Sequence, residues 1–502
     1  MSEPKRAKTC AKPCAATFLS LPQEVVQCIA KHADVRTAAR LAATCCHARD
    51  AVYGLSRVTV PVYNGAKLTR IVVLSGADYA GPRWLNCHPR CELMWNVHSS
   101  DELAALDPGR VGGLRIRGIS VLTHLPDTFS ALTSLKIISC RALTHLPELL
   151  PSLILLYIDN CKQLTQIPDS LPSLIVLDIE DCNRLTHLPD SLPLLTTLNI
   201  ENCCSLTTLP SLLPALTTLQ IRCCNKITTL PSSLPSLATL ELLDCPALAT
   251  LPSSLPMLTT LDIKYCSGVV SLPDSLPRLT ALNISHCPGV VSLSDSLPAL
   301  TTLNIKYCPA LTTLPSTLPS LTTLDIDDCD ALTALTDTFP ALTALNISRC
   351  DSFAILSDSL PSLTTLSICM CHGITTLPPS LPSLVTLNIS HCDWLTTLSS
   401  SLPSLTTMRI AYCDWLITLS SSLPSLDTLE IIDCDSFTTL SSSLPLLLDL
   451  TFRRCNKLTT LPPSLPSLDT LRIDYCNALS TLPDDIPPNT AVDVSRCALL
   501  AS

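Results

Sequence analysis

A cysteine recurs every twenty-one residues from Cys140 to Cys497, eighteen times, with no insertion or deletion between copies. A constant period in the range of about 20–50 residues describes stacked copies of one short unit. Such a unit cannot bury its apolar side alone and must bury it against the next copy. The chain therefore grows in one dimension and escapes the size at which a single compact core divides into domains.

The unit around Cys308, residues 300–320, shows what each copy supplies. Leu300, Leu303 and Ile305 precede the cysteine, and Leu311, Leu314 and Leu318 follow it. From Thr302 to Lys306 polar and apolar residues alternate, the pattern of a short half-buried strand with Leu303 and Ile305 facing inward. One such strand per unit, all running the same way, makes a parallel sheet. A proline stands eleven residues after every ladder cysteine except the last, from Pro151 to Pro487. Another often stands at plus seven, as in Pro210 and Pro315, with serine instead at Ser399, Ser420 and Ser441. Proline has no N–H and holds the preceding residue extended, so the return half of the unit is expected to be extended or polyproline-II rather than helical.

This pattern, LxxLxIxxCxxLxxLPxxLP, resembles the leucine-rich repeat family in its cysteine-containing form. The resemblance covers about three-quarters of the chain. It implies an α/β-type solenoid: a right-handed superhelix with a parallel β-sheet on the concave face, an extended or polyproline-II convex side, and protein binding by the sheet face. The expected organisation is a basic tail over 1–16, a small helical module over 17–56, a linker with degenerate first repeats over 57–118, and the solenoid over 119–502.

In-register cysteines on neighbouring strands lie close enough for disulfides, but parallel side chains give the wrong torsion for an S–S bond. Buried thiols that pack as small hydrophobes and bond weakly to turn carbonyls are expected instead. Cys203-Cys204 and Cys223-Cys224 lack the spacing of zinc ligands. The one other candidate is Cys87-His88-Pro89-Arg90-Cys91 with His98, and no metal or cofactor is expected. The N-terminus has no apolar signal-peptide core and no apolar run is long enough to span a membrane, which points to a reducing, cytoplasmic setting. Pro4-Lys5-Arg6-Ala7-Lys8 has the composition of a nuclear signal but reads first as a solvated basic tail.

Ahead of the repeats, residues 19–53 read as two or three short helices. Leu21-Pro22 opens the first, with Val25, Val26 and Ile29 on one face, and Asp34 caps a second that carries Ala38, Leu41 and Ala42. Leu21, Pro22, Glu24, Val25, Val26, Ile29 and Leu41, with the Thr44-Cys45 step, resemble an F-box. The stretch departs from that family at Cys46-His47-Ala48-Arg49, where a tryptophan is usual, and in the alanines of its second helix. The resemblance implies docking on a Skp-family adaptor of a cullin complex through Leu21, Pro22, Glu24, Val25, Ile29 and Leu41. The chain would then be the substrate-recognition subunit of an SCF ubiquitin ligase, itself not an enzyme. The alternative is a non-enzymatic scaffold or decoy whose N-terminal helices only cap the repeats.

From 57 to 118, strand-like pieces fall at 58–60, 70–74, 93–97 and 114–117. Extending the period backwards puts Ile116 and Trp95 in step with the repeat isoleucines. Variation along the ladder is confined to outward positions. Asp159, Asp178, Glu180, Asp181 and Glu201 form an early acidic group. Arg409, Tyr412, Arg453, Arg454, Arg472 and Tyr475, with Trp394 and Trp415 two residues after their cysteines, form a late basic and aromatic group with the residue types of interface anchors. These eight residues are the expected target-binding site. A net charge of −10 disfavours nucleic acid as the partner, and no phosphate loop, zinc-protease motif or nucleophile elbow is present. The chain is expected to be a monomer outside its complex.

Overall fold

The computed structural model describes strands Val62–Asn64, Lys67–Arg70 and Val73–Ser75 and residues 94–500, apart from 295, 336–337, 420–422, 441–443 and 484. The helical module at 17–56, strand piece 58–60 and Cys87, His88 and Cys91 lie outside the described residues. The chain falls into two compact units, one through Leu206 and one from Thr207.

In the first unit, β1 (Val62–Asn64) and β2 (Lys67–Arg70) form an antiparallel pair. A parallel ladder then starts at β3 (Val73–Ser75) and passes through β4 (Met94–Val97), β5 (Gly113–Arg117) and β6 (Ser134–Ile138). The strand piece expected at 70–74 thus divides between two strands. From β6 the ladder continues through Leu155–Asp159, Val176–Glu180 and Thr197–Glu201. In the second unit, each strand from Thr218–Arg222 to Thr470–Asp474 pairs in parallel with the strand twenty-one residues later, the last partner being Ala491–Ser495. The register holds because every inward row is apolar: Leu303 meets Leu324 and Ile305 meets Ile326. A one-residue slip would bring the Thr, Asn and Lys rows into the core.

Trp95 is not in step with Ile116. Trp95 pairs with Leu114, and Val97 is the partner of Ile116. The coil from β4 to β5 is nineteen residues, not twenty-one, because its return is built differently. Ser99 accepts a hydrogen bond from the Glu102 amide and opens a short helix, α1 (Ser100–Ala104), followed by a 3-10 turn at Pro108–Arg110. No proline pair holds this return extended, and α1 buries Leu103 where later coils bury return-side leucines.

All other described returns are built from turns and extended segments. Their leucines, such as Leu311 and Leu318, are fully buried, each burial of this kind contributing about 1.5–3 kcal/mol. Isolated parallel bridges join neighbouring returns, for example Thr229 to Thr250, Ser292 to Thr313 and Ser380 to Ser401. The returns therefore carry some inter-coil pairing of their own, which polyproline-II geometry lacks.

Two side-chain clips repeat along the array. The Thr280, Thr301, Thr322, Thr343 and Thr364 hydroxyls each donate at 3.0 Å to the carbonyl of the residue one coil earlier. On the return, Ser320 donates to the Pro298 carbonyl at 2.8 Å, Ser362 to Pro340 at 2.7 Å and Ser404 to Pro382 at 2.8 Å. Proline offers no N–H to the next coil, but its carbonyl accepts, and the serine that follows the next proline supplies the donor. Strand, corner cysteine, extended return and buried leucines together make the repeating coil of a parallel β-solenoid with little helix.

Candidate protein-interaction surface

Each strand ends at a corner, and the corner decides which side chains leave the coil. All eighteen ladder cysteines are buried and none is in a disulfide. Their thiols donate to the carbonyl two residues back, at 3.4 Å for Cys308 to Lys306 and 3.2 Å for Cys350 to Ser348. Burial pushes Cys161, Cys182, Cys203, Cys287 and Cys392 up to about 12. Between the neighbouring Cys308 and Cys329 thiols, mutual interaction raises Cys329 and lowers Cys308. Buried and outside any disulfide, the ladder cysteines are packing residues.

The residue before each ladder cysteine has a left-handed backbone, with φ between 48° and 56° throughout. Gly118 occupies the same column one coil before Ser139, at φ 72°. An L-residue there costs about 1–2 kcal/mol, least for Asn and Asp. Asn160, Asp181, Asn202, Asp244, Asp328 and Asp433 fit that preference, His286 and His391 are also of an enriched type, but Tyr265, Tyr307, Arg349, Met370 and Tyr412 are not. Their amides stay in the ladder, as where Tyr307 N–H donates to the Asp327 carbonyl at 2.8 Å. The left-handed turn points their side chains into a row along the edge of the sheet. In that row Tyr265, His286 and Tyr307 stack at successive centroid distances of 4.3 Å, and His391 stacks on Tyr412 at 4.4 Å. Arg349 lies over Tyr307 at 5.4 Å and also bonds Asp327, while Arg496 lies over Tyr475 at 4.9 Å.

The eight expected target-binding residues are all exposed, and they divide among separate rows. Arg409 and Arg472 project from strands four residues before a cysteine, and Arg453 two before. Tyr412, Arg454 and Tyr475 belong to the left-handed row, and Trp394 and Trp415 lie past the corner. The group is not a basic patch. Arg409 pairs with Glu430 at 3.4 Å, Arg453 with Asp474 at 3.7 Å and Arg454 with Asp433 at 3.5 Å. The rows alternate in sign, so the arginines are largely compensated within the sheet. In the first unit the acidic group does cluster. Burial and neighbouring carboxylates raise Asp159 and Glu180, and the Tyr157 hydroxyl donates to Glu180 at 3.2 Å.

Sequence reasoning missed a further row. One residue after the cysteine, the consecutive coils carry Asp330, Asp351, His372, Asp393, Asp414 and Asp435. His372 reaches Asp393 at 3.4 Å and Asp351 at 3.9 Å. The signal was legible as Cys-Asp-Trp-Leu at 392–395 and again at 413–416. The six residues expected to bind the adaptor, Leu21, Pro22, Glu24, Val25, Ile29 and Leu41, lie outside the described residues. His98, the described member of the other candidate metal group, is within 2.8 Å of the Asn96 amide nitrogen. Among the described residues no cluster of three or more His, Cys, Asp or Glu is arranged to hold a metal, and no helix is long and apolar enough to cross a membrane.

No protein-family model and no curated protein matches the chain. Solved structures do. YopM from Yersinia enterocolitica WA-314 is 25% identical over 73% of this chain and 92% of its own, with a TM-score of 0.30. A leucine-rich repeat protein from Bacteroides ovatus ATCC 8483 is 14% identical over 84% of this chain and 92% of its own, with a TM-score of 0.21. TLR13 in its complex with ssRNA13 is 14% identical over 84% of this chain and 79% of its own, with a TM-score of 0.27.

Proposed function

We propose that the chain is a substrate-recognition subunit of a cullin-type ubiquitin ligase, docking on a Skp-family adaptor through residues 17–56 and holding a target protein on its repeats. The observation that carries the binding half is the separation of rows. Inward positions repeat Leu, Ile and Cys coil after coil. The outward positions beside each cysteine change from Asp to Arg, Tyr, His and Trp without altering strand register. A rigid scaffold that presents different side chains at fixed spacing suits recognition of another macromolecule. The adaptor half rests on the Leu21-Pro22 signature and its place ahead of the repeats, where a docking module leaves the array free for a target. In this reading the chain contributes proximity, and ubiquitin transfer belongs to other subunits.

The test is a pull-down of the full chain with a purified Skp-family adaptor, wild type against Leu21→Asp/Pro22→Ala. Wild type should retain the adaptor and the variant should lose it. A wild type that fails to bind would leave a scaffold or decoy without ligase function.

A further inference from the structure

The two exposed tryptophans are the least explained residues of the array. Trp394 and Trp415 are 55% and 59% exposed, two residues after their cysteines in successive coils. The fold does not require bulk there: eleven of the eighteen coils fill this position with Ala, Gly or Ser. Gly373 and Ser436 flank the pair in the adjoining coils and leave its borders open. Ile417, 52% exposed, extends the apolar surface, and Tyr412, 42% exposed, stands at the corner of the same coil as Trp415. Indoles this exposed leave apolar area in water with no gain to folding.

What surrounds them names the occupant. Asp393 and Asp414 directly precede the tryptophans, and Asp435 and Asp351 extend the row on either side. Among the described residues His372 is the one side chain of opposite potential charge within 4 Å of this row. In the tryptophan column the nearest basic residue is Lys457, beyond Ser436. Successive coils space the carboxylates by about 4.8 Å. Indole faces attract guanidinium and ammonium groups, and carboxylates hold them in charge-assisted hydrogen bonds. The net charge of −10 steers cations toward the protein.

We propose that this edge is a docking site for an extended, arginine- or lysine-bearing peptide segment of a partner protein, with cationic side chains laid over Trp394 and Trp415 and held by Asp393, Asp414 and Asp435. The inference deepens the target-binding half of the proposed function and rests on it. It moves the principal contact from the strand-face arginines to the corner edge.

The test is fluorescence anisotropy of a labelled alternating Arg-Gly peptide with the full-length chain, run beside the adaptor pull-down. Wild type should bind, and Trp394→Ala/Trp415→Ala should weaken binding about tenfold or more. Trp394→Phe/Trp415→Phe should retain part of the affinity, and far-UV circular dichroism should show both pairs folded. Asp178→Asn/Glu180→Gln/Glu201→Gln, which removes three negative charges from the acidic group of the first unit, should leave binding unchanged. No binding by wild type, an unchanged tryptophan-to-alanine variant, or an equal loss from the distant charge removal would each overturn the proposal. The last outcome would mark general attraction of a polycation by an acidic protein. A chain that captures the adaptor but not the peptide defeats this inference alone.

Discussion

At the scale of single residues, the corner of each coil sets the terms. The cysteine turns inward, donates its S–H to a carbonyl and leaves no polar atom unpaired. The residue before it takes a left-handed backbone and turns outward. That position carries aromatic and cationic side chains that dislike the conformation, so their contribution to the surface comes at some cost to stability. Met370, at φ 52° and 41% exposed, measures that cost without disturbing a ring stack. Met370→Asn should raise stability by up to about 1 kcal/mol, because Asn tolerates left-handed geometry. Met370→Val should lower it by about 1–2 kcal/mol, because a β-branched residue tolerates it least. Urea unfolding of the three proteins checks the order Asn, Met, Val. The left-handed column was hidden in the sequence behind Tyr, His, Arg and Met. Asn160, Asp181 and Asn202, in line with Gly118, were its legible trace.

At the scale of the coil, the strand and the return are stabilised by different means. The strand is set by ladder hydrogen bonds and buried Leu and Ile rows. The return has turns, sparse bridges, and the serine-to-proline-carbonyl clip. In one coil these contributions are separable. Leu318→Ala should cost about 2–5 kcal/mol through lost burial and cavity formation, whereas Ser320→Ala should cost about 0.5–1.5 kcal/mol through one hydrogen bond. Chemical denaturation that gave the two substitutions equal effects would contradict this division. The strand register was fully legible, since the sequence period equals the coil length and each inward row has one residue class. The clips were not, because threonine before a strand and serine after proline read equally well as ordinary surface residues. Trp95 was misplaced for a related reason. A nineteen-residue coil with its own helix lies outside the period, and counting back by twenty-one overshoots Val97 by two.

At the scale of the molecule, the ladder of cysteines organises the surface without taking part in it. Every outward column is fixed by its distance from the thiol, and the two units, through Leu206 and from Thr207, obey the same rule separately. What the repeat could not reveal was charge balance. Arg409, Arg453 and Arg454 looked like a basic patch in sequence because their partners Glu430, Asp474 and Asp433 belong to the next or preceding coil. The Asp row beside Trp394 and Trp415 was overlooked because its members lie twenty-one residues apart. Folding turns each such interval into one strand spacing.

The eighteen ladder cysteines are buried structural thiols, and in the proposed function recognition falls to the columns around them. Native-state alkylation at pH 8, mapped by peptide mass spectrometry, reads this division out. The ladder thiols are buried, and those of Cys161, Cys182, Cys203, Cys287 and Cys392 are held up to about 12, so at pH 8 they carry almost no thiolate. Exposed Cys204 should be modified rapidly while its neighbour Cys203 and the other ladder cysteines stay protected until denaturant is added. Ladder cysteines that react as fast as Cys204, or that are recovered as disulfides from the native chain, would contradict the account.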